Sequence, residues 1–286
     1  MMKIVNTIGA FALSAFVFSG CGGSKDSENS HDNHDSLAAA IQDTTAVTVD
    51  DTVLFKFDFV VANIPSPASL IYGIKKMSKS YDKSILNEPG KAGGLPSEFQ
   101  KAVNLGIYNI DMAYAVVNNM GSDVLEYLKC VMILGDGLGL KNTIAGMVGK
   151  RAEVNLSNRD SLFAVLDDIY ERSDEYLRTN KRVYVASLVF TGSWVEVLYL
   201  STKAAEVNPA AKPEMNKLIW DQRFHLGNII KMLEDHKGDN EYQTLVKDLK
   251  EIHKFISDVK DVKEMDEPKS KLITERIRDL RVRLSN

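Results

Sequence analysis

Apolar and polar positions divide the chain into three stretches of different rhythm. Residues 8–18 form an apolar run broken only by small residues, with Lys3 ahead of it and Cys21 just beyond. Residues 22–36 hold no large apolar side chain and are rich in Ser, Asp, Asn and His. Such a stretch cannot bury enough surface to order itself and predicts a polar tether. Phe55, Phe57 and Phe59 then alternate with Lys56 and Asp58. Period two predicts a short extended arm, and with no second strand to pair with, the arm is expected to lie against helices.

From Pro67 onward the apolar spacing is helical. It predicts a helix over 69–86, a loop to Pro96, and a helix capped by Ser97 that reaches about Asn119. Gly121-Ser122 opens the next, ending at Gly135, and a short one covers 143–155. Asn158 or Ser157 caps a helix to Arg178, another covers 182–206, and Pro213 opens one that runs to His236. In the last two, Tyr242, Leu245, Leu249, Ile252, Ile256 and Val259 step by threes and fours, as do Ile273, Ile277, Leu280 and Leu284. The prediction is an all-α antiparallel bundle of about nine helices with a short extended N-terminal arm. Its organisation would be a signal peptide at 1–20, a flexible tether from Cys21 over 21–51, and a single helical domain over 52–286.

Composition narrows the class. The chain has 286 residues, 44% hydrophobic and 26% charged, with a net charge of −4. It is long enough for a sizeable core, and no global basic surface invites nucleic acid. Phe18-Ser19-Gly20-Cys21 resembles a bacterial lipobox, in which the cysteine is lipidated and becomes the first residue of the mature chain. Three acyl chains on Cys21 would anchor the protein permanently. Membrane attachment at Cys21 is therefore expected, in the outer membrane, on the periplasmic face or the cell surface. Beyond Cys21 the one other cysteine, Cys130, sits among apolar neighbours and reads as a packed small side chain.

No motif specifies a cofactor or a metal. Gly135 to Thr143 has the glycines and lysine of a phosphate loop, but it follows a helix, and its spacing is that of a helix C-cap and turn. Asp221 and His225 are four apart with no third ligand, and the His31 to Asp35 run is a polar spacer. No Glu-x-x-His pair is present for a di-iron bundle.

Two helices hold the candidate chemistry. Residues 183–202 include a single charge, Glu196. Their length would span a membrane, but Ser187, Thr191, Gly192, Ser193 and Glu196 make them polar for that role. They read as the central helix of the bundle, buried nearly all round. Residues 102–118 include one charge, Asp111. There Val103, Ile107, Ile110, Tyr114 and Val117 make one apolar stripe, and Asn104, Tyr108, Asp111, Ala115 and Asn118 make a second, without Lys or Glu. On the later helix Gly192, Glu196 and Tyr199 share a face, and Gly192 admits a close neighbour. A buried carboxylate is costly unless paired or hydrogen-bonded. Either both carboxylates accept bonds from Tyr or Arg as structural groups, or they line a pocket between helices, with raised pKa values suited to cation binding or acid–base work.

The same stretches resemble an uncharacterised family of helical Bacteroidota lipoproteins. The resemblance rests on Ser66-Pro67, Tyr81-Asp82-Lys83-Ser84-Ile85-Leu86-Asn87, and Asn104-Leu105-Gly106-Ile107-Tyr108 with Asp111 and Tyr114. It continues in Asp160-Ser161-Leu162 and in Gly192-Ser193-Trp194-Val195-Glu196 with Tyr199. Where the family has two glycines before the Trp, this chain has Gly192 and Ser193. The family brings no activity with it, but its motifs mark the same helices. The candidate pocket is therefore Asn104, Tyr108, Asp111, Tyr114, Gly192, Trp194, Glu196 and Tyr199. The leading expectation is a lipid-anchored envelope protein, non-enzymatic, that binds a small ligand or an envelope partner there. The alternatives are a hydrolase or lyase using Asp111 and Glu196 as acid and base, and a structural or assembly scaffold.

Overall fold

A computed structural model of the chain describes residues 58, 67–144, 158–236 and 238–286. The signal peptide, Cys21, the tether, the phenylalanines of the arm and most of the helix expected over 143–155 lie outside the described residues. The described residues form an all-α bundle. Its α-helices are α1 (Pro67–Met77), α2 (Glu98–Val117), α3 (Gly121–Gly137), α4 (Arg159–Thr179), α5 (Val183–Val207), α6 (Lys212–Glu234), α7 (Asn240–Ser257) and α8 (Glu267–Leu284). Short 3-10 turns at Lys83–Ile85, Pro89–Gly94, Pro209–Ala211 and Val262–Glu264 join them.

The caps explain where the helices begin. Ser97 accepts from the Gln100 N–H while the Gln100 side chain returns to the Ser97 N–H, a reciprocal capping box at the head of α2. Asn158 caps α4 through Ser161, and Asp239 and Asp266 cap α7 and α8. The glycine-rich turn after α3 is a helix stop. Leu140 N–H bonds Gly135 O at 2.7 Å, Gly139 N–H bonds Asp136 O at 3.0 Å, and Gly139 takes φ +77°. This is a Schellman motif, and Arg182 closes it by donating to Leu138 O at 2.6 Å.

One expected helix is shorter than its apolar spacing suggests. The segment over 69–86 stops being α-helical at Met77. Ser78, Lys79 and Ser80 carry no apolar side chain to continue the stripe, and Asp82 starts a separate turn by accepting from the Ser84 N–H at 2.9 Å. Residues 78–97 instead form an irregular strap that crosses α2 and α3.

Helix α5 is the hub, packed by α1, α2, α4, α6 and α8, with α2 its most extensive partner. It is the one described helix long and apolar enough to cross a membrane, and 83% of its apolar window is buried inside the fold. Val185, Leu188, Val195, Leu198 and Leu200 are each at most 1% exposed. The burial accounts for its apolar composition on all sides.

Candidate functional site

Helices α2 and α5 meet backbone to backbone. A Cβ on Gly106 would lie 1.9 Å from Val189 O, and one on Gly192 would lie 2.0 Å from Val103 O. Ser193 Oγ reaches Gly106 O at 3.2 Å. The two glycines are therefore the paired contact points of one crossing, and only hydrogen fits at either.

That crossing brings the polar stripe of α2 against the polar face of α5. Asp111 and Glu196 are both 0% exposed and come within hydrogen-bonding reach of each other. Arg281, from α8, grips Glu196 with a two-pronged contact: Nε to Oε2 at 2.9 Å and Nη2 to Oε1 at 3.2 Å. The planar fork matches both carboxylate oxygens, the strongest geometry such a pair can take. The Tyr199 ring lies under the guanidinium, 4.5 Å from its carbon.

Asp111 Oδ2 accepts the backbone N–H of Asn87 at 3.1 Å. Around it, Tyr108 donates to Glu88 O at 2.7 Å, Tyr127 donates to Asn87 O at 3.0 Å, and Arg281 Nη2 reaches Ile85 O at 3.5 Å. All four contacts serve the backbone of the strap between Ile85 and Glu88. An irregular segment laid on a core brings backbone groups with no helical partner, and each buried one needs a bond. The α2 stripe supplies two of the four, through Asp111 and Tyr108, which explains why it holds Tyr and Asp where a solvent face would hold Lys and Glu.

Charge follows from the burial. Desolvation, then the adjacent Glu196 carboxylate, push Asp111 well above the ordinary carboxyl range, against the opposing pull of Arg281. Burial is also the main reason Tyr108 and Tyr127 are raised, so both keep their protons and act as donors. At the rim, burial alone would raise Asp123. Hydrogen bonds from Lys83 (2.8 Å) and Tyr81 (2.7 Å) outweigh it and hold the carboxyl below its ordinary value.

The eight residues expected to line a pocket serve different neighbours. Asp111, Glu196 and Tyr199 join the Arg281 cluster. Asn104 Nδ2 donates to Gln100 O at 2.9 Å and to Leu284 O at 2.7 Å, tying down the end of α8. Tyr114 stacks on Tyr81 at 5.4 Å between centroids. Gly192 marks the helix crossing, and Trp194 points to α6, where Nε1 donates to Gln222 Oε1 at 2.9 Å. All eight are buried, the most exposed being Tyr199 at 7%. They sit at helix interfaces, each packed against the neighbours just named.

Sequence reasoning missed Arg281. Its signal was present, since position 281 falls on the stripe of Ile273, Ile277, Leu280 and Leu284 and so faces inward. Among the other groups weighed, Asp221 pairs with Lys217 at 2.5 Å, and the described residues hold no cluster of three or more metal-ligating side chains. Cys130 is buried, and burial first of all pushes its thiol up to about 11.

Two of the clefts among the described residues open on the outside of the bundle. One of about 260 Å³ lies among α5, α6 and α8, lined by Thr202, Lys212, Met215, Glu267, Lys271 and Arg278. The other, about 290 Å³, lies among α2, α7 and α8, lined by Phe99, Gln100, Glu241, Thr244, Leu245 and Arg283. Neither includes any of the eight residues. No protein-family model, curated protein or solved structure matches the chain.

Proposed function

We propose that this chain is a lipoprotein of the bacterial envelope, anchored through Cys21, that engages a partner with the outer surface of a rigid helical body. The observation that carries the second half is the commitment of the polar core. Both carboxylates of the central helices are fully buried and engaged with Arg281 and the strap backbone, which leaves them no face to offer a ligand or a substrate. The acid–base alternative on Asp111 and Glu196 draws no support from this arrangement. The anchoring half rests on Phe18-Ser19-Gly20-Cys21 and the polar residues that follow it.

Two experiments test the reading. Metabolic labelling with a fatty acid in a Bacteroidota host should mark the chain and partition it with outer membrane, and Cys21→Ala should abolish both. Unchanged membrane partitioning of that variant would remove the anchor. Photo-crosslinkers at Thr244 and Lys271, in the two clefts, should yield a defined envelope adduct in cells. Absence of an adduct at both positions, together with turnover of a substrate that Asp111→Asn abolishes, would overturn the surface reading in favour of the core.

A further inference from the structure

Two carboxyl groups and one guanidinium share the core, and the guanidinium is spent on one of them. Arg281 takes both oxygens of Glu196. Asp111 receives one donor, the Asn87 N–H on Oδ2, while its Oδ1 is buried with no partner.

The groups facing Asp111 are Tyr108 on its own helix, Tyr127 and Cys130 from α3, Tyr81 from the strap, Glu196 from α5 and Arg281 from α8. None of them bonds Oδ1, which is buried without a partner. Tyr81 donates to Asp123, Tyr108 to Glu88 O, Tyr127 to Asn87 O, and the Cys130 thiol to backbone carbonyls. The Asn87 amide nitrogen is also buried and unpartnered, so it does not reach Oδ1 either. The carboxyl that interacts with Asp111 is that of Glu196, another acceptor. Two acceptors side by side repel unless a hydrogen sits between them, and an O–H···O⁻ bond is among the strongest available.

We propose that the folded protein holds one proton between Asp111 and Glu196, which makes the buried cluster neutral, and that loss of this proton as pH rises destabilises the fold. The proton supplies the donor that Asp111 Oδ1 lacks. The upward shift of the Asp111 carboxyl agrees with it. An unfolded chain gives this proton up at the ordinary carboxyl value, so folding takes up one proton. The sign follows: the stabilisation is complete at low pH. It falls as pH climbs above the ordinary carboxyl value, by about tenfold in the folding constant per pH unit, until the folded group itself ionises.

The test is urea unfolding of the full-length chain in detergent, for the wild type, Asp111→Asn and Glu196→Gln, between about pH 5 and 8. Asparagine at 111 keeps an acceptor for the Asn87 N–H and offers an N–H to Glu196, which reproduces the protonated pattern. Glutamine at 196 leaves one carboxyl for one guanidinium, so no shared proton is needed. The wild-type folding constant should therefore fall about tenfold per pH unit relative to either variant. Parallel profiles for all three proteins would overturn the proposal. Should a variant fail to fold, infrared spectroscopy of the wild type at neutral pH decides. A protonated carboxylic-acid C=O band, present when ordinary carboxyls are ionised, supports the proposal, and its absence overturns it.

Discussion

Replacing Gly192 with alanine tests the geometry on which the core rests. In an isolated helix the change is favourable, by about 1 kcal/mol of helix propensity. Here the new methyl would lie 2.0 Å from Val103 O and 2.9 Å from its carbonyl carbon. A normal carbon–oxygen contact is about 3.3 Å or more, so α2 and α5 must part by on the order of 1 Å. The obstacle is backbone within a helix, so no side chain can swing aside. Overpacking of this kind costs about 1–3 kcal/mol and sometimes more, and it here also strains the Arg281 cluster one turn further along α5. After the propensity gain, a net loss of up to about 2 kcal/mol is expected, or up to roughly 8 °C in the unfolding midpoint. Gly73 on α1 is the control, because a Cβ there meets nothing within 4 Å. Gly73→Ala should stabilise by about 0.5–1 kcal/mol. Thermal unfolding by circular dichroism reads both variants. If Gly192→Ala stabilises as Gly73→Ala does, the helices do not cross at this distance and the close-packed account is refuted.

Three further predictions follow from other contacts. Asn104→Ala removes the bond to Leu284 O and should cost about 1–2 kcal/mol, with faster amide exchange confined to the last turn of α8; unchanged exchange there would refute the tie. Cys130, with its thiol raised to about 11 by burial, should resist a thiol reagent at neutral pH until the chain is unfolded; rapid labelling of the native chain lacking Cys21 would contradict its placement. Asp123 is held below its ordinary value, so its contribution is present above the unfolded carboxyl pKa and lost as pH falls through the lower folded one. Asp123→Asn should therefore flatten the acid limb of the stability profile, and an unchanged limb would count against the Lys83–Tyr81 clamp.

Much of the scaffold was legible from local signals. Ser97 with Gln100 and Asn158 with Ser161 act through atoms three residues apart, so the sequence around each cap contains the whole interaction. The same holds for the glycine stop after α3, and the scarcity of charge along α5 follows from burial on every side. The segment after Met77 was less legible. Tyr81 and Ile85 sit at a spacing compatible with a helix, but they are held by Asp123 and Arg281, which lie far away in sequence. The candidate site divides along the same line. Asp111, Glu196 and Tyr108 stand out because uncharged helices rarely carry such groups, and that signal is local. What each one holds is not local. Arg281 lies 85 residues beyond Glu196, on a helix with three other arginines, and only its place on the apolar stripe distinguishes it. Trp194 shares a short motif with Glu196 yet turns toward α6, since neighbouring positions on a helix face different partners.

The central claim is that the polar core is a structural cluster held by Arg281, and the unfolding free energy of Arg281→Met tests it most directly. Methionine keeps the length and apolar stem but leaves two buried carboxyls without a cation. The account predicts a loss of about 3–5 kcal/mol, about half of it recovered when Glu196→Gln removes the stranded charge in the same chain. A loss below about 1 kcal/mol, or a double variant no more stable than the single one, would contradict it.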